Sequence, residues 1–138
     1  MKLRVAVAAV ALTLLVGAAA ASRGAAARAN AGTVRITIHY SSFAPDRLDV
    51  DPGETVRFVI RNTDPIDHEF ILGDEHVQLV HEEGTEAHHP PRPGEVSVPA
   101  GETIVTTYTF PNVSGSLIFG CHLPGHYDFG MRGTVTIG

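Results

Sequence analysis

The stretch Cys121-His122-Leu123-Pro124-Gly125-His126-Tyr127-Asp128-Phe129-Gly130-Met131 lies near the end of a 138-residue chain and has the spacing C-x4-H-x4-M. It sits between two β-type segments, Ser116 to Cys121 and Gly133 to Ile137. The first would deliver Cys121 at its end. Pro124-Gly125 would bend the loop so that His126 returns toward the thiol, and Met131 falls where the next strand begins.

Working outward, Thr33 to Tyr40 alternates Val34, Ile36, Ile38 and Tyr40 against Thr33, Arg35, Thr37 and His39, the pattern of a half-buried strand. Further β-type segments are expected at Arg47 to Val50, Thr55 to Arg61, His68 to Leu72, Glu95 to Val98 and Thr103 to Phe110. Turn signals separate them at Asp51-Pro52-Gly53, Asn62-Thr63-Asp64-Pro65, Pro99-Ala100-Gly101 and Pro111-Asn112. Seven to eight short strands with regular turns predict an all-β chain, a Greek-key β-sandwich. No segment beyond the N-terminal run shows a helical period. Gly73 to Gly94 therefore reads as a long insertion, with His76, His81, His88, His89, five acids and Pro90, Pro91 and Pro93.

The residue types in the C-x4-H-x4-M loop point to a metal. Cys121 is the only cysteine of the chain, so no intramolecular disulfide can use it, and Met131 is the only methionine besides Met1. Thiolate and thioether donors suit copper(I), and imidazole serves both oxidation states. Two His and a Cys in a trigonal set with a weak axial Met are the blue-copper arrangement. Three donors in one short loop cannot enclose an ion. The fourth is assigned to His68, which follows a turn and starts the apolar run Phe70-Ile71-Leu72 at one end of the sandwich.

From Phe43-Ala44-Pro45 through Leu48, Val50, Gly53, Val56, Phe58 and Asn62 to His68-Glu69-Phe70 and the C-x4-H-x4-M loop, the chain resembles the small cupredoxins such as plastocyanin, azurin and rusticyanin. The resemblance covers nearly all of the chain after residue 32. It implies a Greek-key sandwich with one type 1 (blue) copper per chain, held by His68, Cys121 and His126 as equatorial ligands and Met131 as axial ligand. Plastocyanin and azurin have an Asn after the first ligand histidine that ties the two ligand loops together. Glu69 holds that place here, which leaves the rigidity of the site open. No glycine precedes His68, so an azurin-like axial carbonyl is not expected. A single Cys also excludes the binuclear copper centre of oxidase subunits, which needs two.

The N-terminus has a different character. Lys2 and Arg4 precede an uncharged apolar run from Val5 to Ala21, the pattern of a secretory signal, with cleavage after Ala21 or Ala29. Residues 1–29 are expected to be signal and linker, and residues 30–138 the copper-binding domain. The alternative is an uncleaved membrane anchor, disfavoured because the run is short and mostly Ala. A cut after Ala29 removes four of the ten basic residues and leaves six against fifteen acids, a net charge of −9. Such a surface is a poor match for nucleic acid and suits a basic partner.

His122 follows the Cys as in multicopper oxidases, where that histidine serves a trinuclear cluster. Those enzymes also place a His before the Cys, whereas Gly120 stands here. Alternation points His122 away from the metal, as an ordinary hydrogen-bonded histidine. His39 reads as a surface residue of its strand. The His-rich insertion reads as a solvated acidic loop, with a second metal site as the alternative. No Ser/His/Asp or HExxH pattern occurs, so neither an enzyme nor any catalytic residue is expected. The expected function is an exported, monomeric electron carrier between redox partner proteins. A periplasmic copper carrier or buffer is the alternative.

Overall fold

The computed structural model describes residues 26–28, 32–84 and 90–138. In chain order its elements are β1 (Ala27–Arg28), β2 (Thr33–Ile38), β3 (Phe43–Ala44), β4 (Arg47–Val50), β5 (Thr55–Asn62), β6 (His68–Gly73), α1 (Glu75–Gly84), β7 (Glu95–Val98), β8 (Thr103–Thr109), β9 (Gly115–Gly120) and β10 (Arg132–Ile137). Two sheets face each other, one ordered β1-β4-β10-β9-β6-β7 and the other β3-β2-β5-β8. The pairs β1/β4, β4/β10 and β2/β5 are parallel; the rest are antiparallel. The predicted sandwich is present. The signal-type segment and most of the linker lie outside the described residues, and no helix among the described residues is long and apolar enough to cross a membrane.

Alternation builds the core, because side chains of a strand point to opposite faces with period two. Val34, Ile36 and Ile38 of β2, Val56, Phe58 and Ile60 of β5, and Leu117 and Phe119 of β9 are buried in one cluster with Phe70 and Leu72 of β6. Phe119 lies 5.3 Å from Phe43 and 5.4 Å from Phe70, centroid to centroid, and Phe70 lies 5.3 Å from Phe58. The cluster runs on without a break to Cys121 and Met131. The site is therefore seated on the rigid end of the core.

Two expectations need correction. The first strand ends at Ile38, not Tyr40: Tyr40 and Ser41 have positive φ (50° and 51°), and Tyr40 is 84% exposed. Their backbone N–H groups donate to the two carboxylate oxygens of Asp64, at 2.7 and 2.8 Å, which holds the turn open to that conformation. Second, the insertion is not all loop, because Glu75–Gly84 is helical. Asp74 caps it, accepting the Val77 N–H at 3.0 Å on its side chain. The helix carries no apolar stripe, since the one residue it buries is Gln78. Without such a stripe there is no 3.6-residue hydrophobic period to read.

Helix α1 explains why all six residues of β6 are buried. His68, Phe70 and Leu72 alternate with Glu69, Ile71 and Gly73, and α1 packs over the β6/β9 pair. A side chain added at Gly73 would lie 2.6 Å from Val77. The helix thus covers the outer face next to the Cys121 end of β9.

Candidate metal centre

Three elements bring the donors together. His68 starts β6, Cys121 follows the last residue of β9, and His126 lies on the loop to β10. One donor atom from each of these residues lies within 4.8 Å of the others, the only such group of His, Cys, Asp and Glu among the described residues. Nδ1 of His68 is 3.8 Å from the Cys121 sulfur, and Nδ1 of His126 is 3.3 Å from it. Donors bound at about 2.0–2.3 Å in a trigonal plane stand roughly 3.7 Å apart, so the pocket is sized for one ion. Met131 is buried at the same end, its N–H donating to His126 O at 2.9 Å and its carbonyl accepting the Cys121 N–H at 3.1 Å. The loop is thereby closed on itself.

His68 and Cys121 are fully buried, and His126 is half-buried beside exposed Pro124 and Phe129. Of the three donors, His126 is thus the one with access to the surface. Burial, opposed by Asp64 and reinforced by the neighbouring His68, pushes the His126 pKa down. Burial also pushes the Cys121 thiol up to about 11. Burial here disfavours both imidazolium and a free thiolate, and a bound cation would take the thiolate and the neutral rings together. A soft sulfur and two imidazoles fit copper by donor chemistry, and Met131 of the same loop offers a thioether.

Around the donors lies a layer that the sequence did not disclose. Nε2 of His68 sits 3.0 Å from Asp64 Oδ2, leaving Nδ1 to face the sulfur. Burial alone would raise the Asp64 pKa. The N–H groups of Ser41 and Tyr40 and the contact with His68 outweigh it and hold the carboxyl below its usual range. Asn62, buried, donates to Ile66 O and Val98 O at 2.8 and 2.9 Å and accepts the Asp64 N–H at 2.9 Å, so it shapes the turn that presents His68. The signal was the turn motif Asn62-Thr63-Asp64-Pro65, which marks a turn but not its partner. Glu69 answers the question of rigidity. Its N–H donates to the Cys121 sulfur at 3.3 Å and its carboxylate accepts the His122 N–H at 3.2 Å, so it ties both ligand segments.

The remaining histidines separate. His122 is buried, turned away from the donors, and hydrogen-bonded, as alternation predicts. Burial lowers its pKa against the opposing pull of Glu82. His39 is exposed and bonds Thr63 at 2.9 Å. His76 is exposed, His81 accompanies Glu95 at 3.3 Å, and His88 and His89 lie outside the described residues.

The model of the cupredoxin-like domain matches residues 6–96. The chain belongs to the cupredoxin family. Among relatives of this cupredoxin, the copper-resistant cuproprotein CopI of Rubrivivax gelatinosus is 37% identical over 109 residues, covering 76% of this chain and 66% of the relative. CopI of Vibrio cholerae is 34% identical over 93 residues, covering 65% of this chain and 54% of the relative. The chain thus spans less than two thirds of the length of both relatives. In fold it is similar to reduced auracyanin of Roseiflexus castenholzii, with a TM-score of 0.65, 23% identity, and coverage of 78% of this chain and 97% of that one. It also matches rusticyanin of Thiobacillus ferrooxidans, with a TM-score of 0.53, 20% identity and coverage of 80% of each chain.

Proposed function

We propose that this cupredoxin is an exported electron carrier holding one type 1 copper on His68, Cys121, His126 and Met131. The convergence of two imidazole Nδ1 atoms on the buried Cys121 sulfur carries the reading. Bound there, copper supplies a one-electron change of oxidation state. The protein's part is to keep one set of donors for both states, and its hydrogen bonds favour that. Asp64 orients His68, Glu69 fixes the sulfur, and the backbone bonds of Met131 to Cys121 and His126 hold the loop. The half-buried His126 edge is the route by which a redox partner reaches the site. Four protein donors would fill the shell of a bound copper, which favours electron transfer over catalysis.

A second reading, copper handling, is favoured by the relatives, which are named copper-resistant cuproproteins. The two readings differ in whether copper leaves. Protein loaded with Cu(II) should show intense thiolate-to-copper absorption in the visible, and Cys121→Ser should abolish it. Repeated chemical reduction and reoxidation beside a moderate-affinity chelator should leave the colour fully recoverable. Progressive bleaching, with copper passing to the chelator while the fold persists, would select the carrier instead.

A further inference from the structure

The helix that the sequence did not announce buries a single glutamine, and that glutamine is bonded at every polar position it offers in one direction. Its amide nitrogen donates to Ile71 O of β6 at 3.1 Å and to Ile118 O of β9 at 3.0 Å. Both partners are carbonyls, so this end of the amide is the NH2 and the other end is the oxygen. That oxygen stands 2.8 Å from Nε2 of His122 and accepts from it when Nε2 carries the ring hydrogen. One turn further along the same helix face, Glu82 Oε2 stands 2.7 Å from Nδ1 of His122. A neutral imidazole has one N–H and donates to one of these two acceptors, whereas the imidazolium, paired with the Glu82 carboxylate, donates to both; either way the ring sits between two groups of one helix.

Its faces and backbone are held as well. The ring stacks on Tyr127 at 4.5 Å and 21°, and Arg132 covers Tyr127 at 5.2 Å. Tyr127 reaches that position by lying over Gly120, where a β-carbon would come within 2.7 Å of the ring. The His122 N–H, meanwhile, donates to Glu69. His122 is covalently next to Cys121, so whatever fixes its ring and backbone also fixes the direction from which the sulfur enters the pocket.

We propose that Gln78, with Glu82, is a positioning residue for the copper site: α1 latches His122 and through it sets the approach of the Cys121 sulfur. This rests on the copper reading given above. A buried amide with three good hydrogen bonds is an expensive way to dock a helix that an apolar residue could dock as well. What Gln78 adds over a leucine is a directed bond to the residue beside the cysteine.

The test compares the copper-loaded wild type with Gln78→Met, His122→Phe and the double variant. Three quantities are read: the ratio of the visible thiolate-to-copper bands, copper affinity against a chelator, and the melting midpoint of the metal-free protein. Each single variant should shift the band ratio and lose about tenfold in copper affinity, the usual effect of a lost outer-shell partner. The double variant should lose no more than either single one, because both break the same link. Additive losses, or a lowered midpoint with unaltered bands and affinity, overturn the latch. Should Gln78→Met fail to fold, Glu82→Ala, at the more exposed end of the same helix face, should shift the band ratio in the same direction, and an unchanged ratio overturns the proposal. A wild type without thiolate-to-copper absorption overturns the copper reading itself, whereas a coloured wild type matched by its variants overturns only the latch.

Discussion

Nε2 of His68 stands 3.0 Å from Oδ2 of Asp64, and both side chains are buried. The same carboxylate takes the N–H groups of Tyr40 and Ser41, so one aspartate couples the turn after β2 to the first metal-site histidine. A partner of this kind fixes which imidazole nitrogen faces the metal and raises its basicity. Asp64→Ala should keep the visible band but weaken copper binding by about 10- to 100-fold. Competition with a chelator of known affinity measures this. An affinity equal to wild type would assign Asp64 to the turn alone.

Met131 should tune the site rather than hold the ion, since an axial thioether is a weak ligand. Met131→Gln is expected to retain copper and lower the reduction potential, read by voltammetry. Its burial and the backbone bonds to Cys121 and His126 remain available to the variant, so the loop should stay closed. Metal loss from a folded variant would give Met131 a larger role.

Cys121 makes the metal-free protein sensitive to alkaline pH. Burial, aided by the charges of Glu69 and Glu82 and opposed by the N–H groups of Leu123 and Glu69, sets its pKa at about 11. In the unfolded chain a thiol ionises near about 8.5. The folded state therefore holds the proton more tightly, and that contribution to stability is full below the unfolded value and disappears as pH climbs through the folded one. Denaturation of the metal-free protein at stepped alkaline pH should show the decline, and Cys121→Ser should lack it. An identical decline in both would remove the thiol as its cause.

Gly133 is the tightest point between the core and the site. A β-carbon there would stand 2.1 Å from Phe119 and 2.6 Å from the Asp46 carbonyl, one a packed ring and the other backbone. Neither can yield cheaply. Gly133→Ala should cost about 1–3 kcal/mol of stability by overpacking. Phe119→Ala, which empties a fully buried position, should cost about 3–5 kcal/mol. Chemical denaturation of both variants gives the values, and a Gly133→Ala protein as stable as wild type would show that the strands can separate there.

The legible parts of the fold were those with a local periodic signal. The alternation in Arg47–Val50 and Glu95–Val98 gave those strands their observed limits, Thr55–Asn62 runs one residue past the expected Arg61, and Gly115–Gly120 is shifted by one residue at both ends from the expected Ser116 to Cys121. The two-residue strands Ala27–Arg28 and Phe43–Ala44 were not legible, because two residues cannot display a period. Helix α1 escaped for the complementary reason: Gln78 is polar in sequence and buried in space.

By itself the sequence determined the donor chemistry and the sandwich. A lone cysteine, a histidine and a methionine on one bent loop admit few other uses, and alternating strands must bury one face. Only the tertiary structure decided which groups serve those donors. His68 and Cys121 are 53 positions apart, as are Glu69 and His122, and Gln78 and His122 are 44 apart. A hydrogen bond depends on a few tenths of an ångström and on direction, and chain spacing carries neither across so long a loop. Sheet register brings β6 beside β9, and the capped helix lays Gln78 across both. The partners of the site are fixed by that packing.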